Sequence, residues 1–370
     1  MKHLVMLGAG HAHVHMLSTL AAQALAGVQI TLVAPYPRQL YSGMVPGFVA
    51  GNYTLDQCVI NVAPFLVNSG VQWLQRSAVG LDADTRTLTL DDGSTLHFDV
   101  LSVNTGAVQN RQKIEGMMPG AKEYALFVRP IETFGALWPH VVDLAQSRSL
   151  RVAVIGGGAA GVELSCAVAH RLKTSSVTLV AGDAPVVANY PQGVQARIVR
   201  ALRQRRIPVI QERAIGISAS EVSLGNGGQL ACDVPIMAIG AQAPAWLQGS
   251  RLALDAEGFL AVDEFQRSTS HPTVFGAGDV TSRVDRPAAR SGVYAVRAGV
   301  PLAANLRAVL AGVEPRPYQP QAKTLNLLAC GEQYAIASWG NWSAEGRWVW
   351  WLKDRIDRGF IEKYSGPAQA

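Results

Sequence analysis

A chain of 370 residues with 49% hydrophobic and 16% charged residues holds enough apolar material for two packed cores and too much for a disordered polymer. Its net charge of +5 comes from 32 basic and 27 acidic residues without long basic runs, so nucleic acid is not the leading partner. Four cysteines, Cys58, Cys166, Cys232 and Cys330, stand far apart with no CxxC or CxxxxC spacing. That excludes a zinc ribbon, a disulfide framework and a local redox disulfide, and points to a reducing, cytoplasmic setting.

The chain enters an apolar strand at once, with no signal-peptide pattern. Residues 3–37 lack Asp, Glu, Lys and Arg, yet histidines, glycines and prolines interrupt them. A strand, a glycine turn, a helix and a second strand account for that stretch better than a membrane span. The strand Leu4–Leu7 runs into Gly8-Ala9-Gly10-His11-Ala12-His13, then an Ala/Leu-rich helix, then Val28–Val33. This is the order of a dinucleotide-binding unit: Gly8 permits the turn, Gly10 lets backbone approach a pyrophosphate, and the helix N-terminus faces the anion. His13 replaces the third glycine, and Ala34-Pro35 stand where an acid would take the ribose. His11, His13 and His15 do not share one helix face, so they are expected beside a phosphate rather than on a metal.

A second unit follows about 150 residues later. Arg151–Ile155 is a strand, Gly156, Gly158 and Gly161 occupy all three turn positions, and Val177–Val180 is the next strand. The expected class is therefore α/β, with two Rossmann-like dinucleotide-binding domains. Asp183 comes late for a ribose-binding acid, and no Lys or Arg lies between Lys173 and Arg197. A 2′-phosphate needs a basic partner, so NADH is favoured over NADPH.

Further on, the apolar strand Thr273–Phe275 runs into Gly276-Ala277-Gly278-Asp279, ahead of a helix expected to begin near Pro287–Arg290. Phe98-Asp99 through Thr105-Gly106, and Asp233 through Gly240 with Pro244, read as the strands leaving each unit. Together these motifs resemble the pyridine nucleotide-disulfide oxidoreductase superfamily over nearly the whole chain, most of all its type II NADH dehydrogenase branch. Gly10–Val14 and Tyr41–Gly47 also look like the flavoprotein that some bacteria carry fused ahead of selenide, water dikinase.

The resemblance implies an FAD domain at 1–110 and 250–315, an inserted NAD(P)H domain at 111–249, and a C-terminal segment at 316–370. It implies FAD contacts from Gly8, Gly10, His11, Ala12, His13, Ala34, Pro35, Pro46, Thr105, Gly106, Gly278, Asp279, Ala289 and Arg290. Gly156, Gly158, Gly161, Asp183 and Gly240 would hold the nicotinamide nucleotide, and Glu163 would be the catalytic side chain at the flavin–nicotinamide contact. Where disulfide reductases of the superfamily carry CxxxxC before a proline, Tyr41–Gly47 has Pro46 and no cysteine. Electrons would then pass directly to something that reaches the flavin, a quinone-like acceptor first, or another diffusible oxidant or a protein carrier. Cys166 and Cys330 keep a sulfide:quinone-type reading open, and a slow-turnover redox partner in selenium metabolism is a further one.

Five of the eight tryptophans lie in the last 32 residues, and residues 347–363 carry five basic and three acidic side chains. Helical spacing puts Trp348, Leu352, Ile356 and Phe360 on one stripe, with Arg347, Lys353, Arg355 and Arg358 around it. Such a helix suits peripheral contact with the inner face of the cell membrane, or packing on its own FAD domain or on a second copy in a homodimer.

Overall fold

The computed structural model describes residues 1–286, 290 and 292–365, so Ala289 lies outside the described residues. The opening strand Lys2–Leu7 pairs in parallel with Val28–Val33 and Val100–Val103. Val71–Leu74 and Val274–Gly276 close the two edges of this five-stranded parallel sheet. Its strands read as near-continuous apolar runs because both faces are covered. Leu4 and Met6 face the helices His11–Ala22 and Gly292–Leu310, whereas Val5 and Leu7 pack with Leu81 and Leu88 of a three-stranded antiparallel meander.

The second unit repeats the plan. Leu126–Phe127, Val234–Met237, Arg151–Ile155, Ser176–Val180 and Val209–Ile210 form a parallel sheet in that order. Val152 and Val154 face the main core, while Ala153 and Ile155 meet Val222 and Leu224 of a second meander. The two crossings between the units hold each other: Val108 and Gln242 exchange backbone hydrogen bonds of 2.9 and 2.8 Å. Gln109 Nε2 adds a 2.8 Å bond to the carbonyl of Met237.

After the helix Gly292–Leu310, an antiparallel sheet of Leu325–Ala329, Ala335–Trp339 and Trp342–Gly346 leads into the helix Arg347–Tyr364. The expected stripe on that last helix is split. Trp348, Leu352 and Ile356 face outward beside Trp351, but Phe360 is buried with its ring centroid 4.6 Å from that of Tyr41. Each step of four residues advances about 40° around a 3.6-residue helix, so three steps carry Phe360 onto the inner face. Lys353, expected among the surrounding surface cations, is buried there too.

Candidate active site

A cavity of about 660 Å³ opens at the carboxyl ends of the first sheet's strands, within the range of a small-molecule site. Gly8, Gly10, His11, Ala34, Pro35, Thr105, Gly106 and Asp279 all line it, although they come from four separate stretches of chain. Its lining also carries Arg38, Arg76, Arg111 and Arg129 against the acids Glu132 and Asp279. That excess of guanidinium groups suits a pyrophosphate-bearing ligand. Gly8 has φ +87°, and a side chain there would stand 2.6 Å from the Asn104 carbonyl, so only glycine fits the turn. The cradle therefore fits a dinucleotide such as FAD.

Asn104 was not singled out by the sequence, yet it organises this end of the sheet. Its Oδ1 accepts the N–H groups of Ala12 and His13 at 3.0 and 3.1 Å, and its Nδ2 donates to the carbonyl of Ala277 at 2.6 Å. One buried amide thus caps the first glycine helix and ties it to the Gly276–Asp279 segment. The usable signal was its place, directly after the apolar strand Val100–Val103 and before Thr105-Gly106.

This arrangement separates residues that were expected to act together. Ala12 and His13 give their N–H groups to Asn104 and do not line the cavity. The His13 ring is tied inward, Nδ1 to the Gly8 carbonyl at 2.5 Å and Nε2 to Ser102 Oγ at 2.7 Å. Burial drives its pKa down to about 4, so it serves the fold as a neutral cross-link. His11 faces the cavity beside Tyr41, and its buried Nε2 has no hydrogen-bond partner among the described residues. Its pKa is likewise lowered to about 4 by burial, with Asp279 opposing that shift and Arg129 adding to it.

Asp279 sits on the short turn Gly278–Val280 and is ion-paired with Arg129 at 3.2 Å. Arg129 arrives from the second unit's edge, where its Nη1 also holds the Ala107 carbonyl at 3.0 Å. Gly278 lies against the Asn104 amide. Arg290 pairs with Asp255 and Glu257 and stacks 3.5 Å over the ring centroid of Phe259. Pro46 is buried in the short helix Val45–Val49, and it is Ser42, just upstream, that lines the cavity.

In the second unit Gly156 forms the turn and Gly158 stands at the N-cap of the helix Ala159–Arg171. A Cβ on Gly161 would collide with the Gly156 carbonyl, whereas one on Gly158 would meet nothing within 4 Å. Gly161 therefore lets helix and turn pack closely, and Gly158 leaves open space for an anion. Gly240 lies beyond the strand Val234–Met237, also with open space around it. Asp183 is exposed and ion-paired with Arg213.

Glu163 begins the second turn of the helix Ala159–Arg171. Its Oε1 accepts the Ala329 N–H at 2.8 Å, which ties this helix to the C-terminal sheet. Burial raises its carboxyl to about 7, with Lys353 and the Ala329 bond opposing the shift and Asp357 adding to it. Lys353 and Asp357 form a buried 2.7 Å pair on the last helix, and Lys353 also donates to the Gly43 carbonyl at 2.7 Å. The inner face of that helix therefore carries charge toward Tyr41–Gly43. All four cysteines are free and buried. The thiol of Cys330 donates to the Leu328 carbonyl at 3.6 Å, and the neighbouring Cys166 thiol together with burial holds the Cys330 pKa well above its ordinary value. Neither lines the cavity.

Two parallel sheets, each ending in a glycine turn before a helix, define a two-dinucleotide oxidoreductase scaffold. Residues 2–299 match the pyridine nucleotide-disulphide oxidoreductase family, and the chain belongs to it. It is 28% identical over 251 residues to an NADH dehydrogenase-like protein of Mycobacterium tuberculosis, covering 62% of this chain and 61% of that one. Its fold is similar to that of sulfide:quinone oxidoreductase from Aquifex aeolicus, with TM-score 0.78, 16% identity, and 99% and 92% of the two chains covered. It is also similar to NDH2 from Plasmodium falciparum in complex with NADH, with TM-score 0.77, 14% identity, and 99% of each chain covered.

Proposed function

We propose that the chain is a FAD-dependent NAD(P)H oxidoreductase that takes hydride from a nicotinamide nucleotide, NADH above all, and passes electrons to a quinone-like acceptor. The observation that carries this reading is the dinucleotide-sized cavity bounded by Gly8–His11, Thr105-Gly106 and Asp279, with no cysteine in its lining. A bound flavin would supply a two-electron carrier between donor and acceptor. The chain's own work is positioning: Asp279 would accept hydroxyl donors, the lining arginines would balance phosphate charge, and the Gly156–Gly161 turn would hold the second dinucleotide. Glu163, poised near 7, can hold or release a proton at neutral pH.

The outer face of the last helix supports the acceptor class. Trp348, Trp351, Leu352 and Ile356 are exposed with Trp339 and Trp342 of the adjoining sheet, and the cations Arg347 and Arg355 flank them. A tryptophan-rich face with basic flanks suits an interfacial helix on an anionic lipid surface, where quinones partition. Among the described residues no helix is long and apolar enough to cross a membrane.

Anaerobic mixing of the flavin-loaded protein with NADH tests the reading: rapid bleaching of the flavin, then recovery on adding a quinone, is expected. A second reading, sulfide oxidation through Cys166 and Cys330, is favoured by their being buried neighbours in the fold. Bleaching by sulfide but not by NADH would put that reading first.

A further inference from the structure

The second sheet brings a cation to a place where the chain supplies none locally. Ser176–Val180 and Val209–Ile210 are parallel neighbours, and their trailing loops stay zipped, Ala181 N–H to the Ile210 carbonyl at 2.8 Å and Gly182 N–H to the Glu212 carbonyl at 3.2 Å. Asp183 and Arg213 therefore emerge side by side and form an ion pair. The loop that leads to Asp183 adjoins the glycine turn, because a side chain on Gly157 would press against Ala181, its nearest approach being 2.7 Å from the Ala181 carbonyl. Ala181 itself stands where an acid would take both ribose hydroxyls and repel a phosphate. The neighbouring carboxylate of Glu212 lies toward Gly225.

We propose that Arg213 is the 2′-phosphate-binding cation of the nucleotide site and Asp183 its competitor, so that the chain accepts NADPH alongside NADH. The proposal rests on the reading of Gly156–Gly161 as a nicotinamide-nucleotide turn and adds its specificity device. An exposed ion pair in water is weak, and here the two side chains are 74% and 56% exposed, so exchanging a carboxylate for a phosphate on Arg213 costs little. The phosphate carries more charge and matches the guanidinium fork in two-point contact. With NADH the pair stays closed; with NADPH it opens and Arg213 turns to the phosphate.

The test compares 2′,5′-ADP with 5′-AMP on the flavin-loaded protein by calorimetry, beside NADPH and NADH reduction rates. Wild type should bind 2′,5′-ADP within about threefold of 5′-AMP, and that binding should weaken more steeply than 5′-AMP binding as salt rises. Arg213→Gln should weaken 2′,5′-ADP about tenfold or more and leave 5′-AMP within about twofold, Arg213→Lys should restore part of the loss, and Asp183→Asn should strengthen 2′,5′-ADP. Equal losses for both ligands in Arg213→Gln, or wild-type binding of 2′,5′-ADP tenfold weaker than 5′-AMP, would overturn the proposal. Binding of neither adenosine phosphate would sink the nucleotide-turn reading itself, and this proposal with it.

Discussion

Arg129 reaches Asp279 across 150 residues of chain and joins the two units at the mouth of the cavity, guanidinium to carboxylate at 3.2 Å. Both side chains are sheltered, 29% and 15% exposed, so the pair holds a cation and an anion ready at one wall of the dinucleotide cradle. Replacing Asp279 with Ala should leave a folded protein that binds FAD about 10- to 100-fold more weakly, the worth of one hydrogen bond to a charged group at about 1.5–3 kcal/mol. Arg129→Gln should weaken FAD as well, and the double variant should lose less than the sum of the two. Flavin content after dialysis, with a melting curve for each variant, is the measurement. Full flavin retention in the Asp279 variant would remove that residue from the site.

Gly158→Val should fold and bind flavin yet fail to be reduced by NADH. The position has open space around it, so the branched side chain fits the free protein and occupies only the volume an incoming pyrophosphate needs. Dithionite should still bleach the flavin. Unchanged reduction by NADH would make the second glycine turn purely structural.

Glu163 gives the protein a distinctive pH dependence. Its carboxyl lies near 7 in the fold against an ordinary 4.5, so the folded chain holds a proton that the unfolded chain releases in between. Stability from this group is therefore full below about 4.5 and falls as pH rises to about 7, by up to about 3 kcal/mol. His11 and His13 act in the opposite sense. Their lowered pKa values near 4 make the folded chain resist a proton that the unfolded chain binds below about 6.5, so they lower stability as pH falls. Urea midpoints of Glu163→Gln and wild type from pH 5 to 8 isolate the carboxyl, because the histidine contribution cancels. The Gln variant should gain on wild type as pH rises; a constant gap would contradict the account of a part-buried, proton-holding Glu163.

The double variant Cys166→Ala, Cys330→Ala should keep NADH:quinone turnover within about threefold of wild type. Neither thiol lines the cavity, and trading two small buried side chains for alanine costs packing rather than chemistry. Flavin content, melting midpoint and turnover should be measured together. A folded, flavin-replete variant with turnover down a hundredfold would bring the thiol pair into the mechanism.

Much of this protein is local and so was legible residue by residue. Both glycine turns, the strands that feed them and Gly276–Asp279 are short contiguous spellings, and a tight turn into a helix admits few other residues at Gly8 or Gly161. The absence of thiols from Tyr41–Gly47 needed no structure to read. Tertiary structure alone decided which distant side chains meet. Asn104 took the helix N–H groups expected to face a phosphate, and His13 turned inward to Ser102. Phe360 and Lys353 went to the inner face of the last helix because its rotation is set by what it packs against. Arg213 came to pair with Asp183, since parallel neighbours in a sheet align their loops at one edge however far apart they stand in the chain.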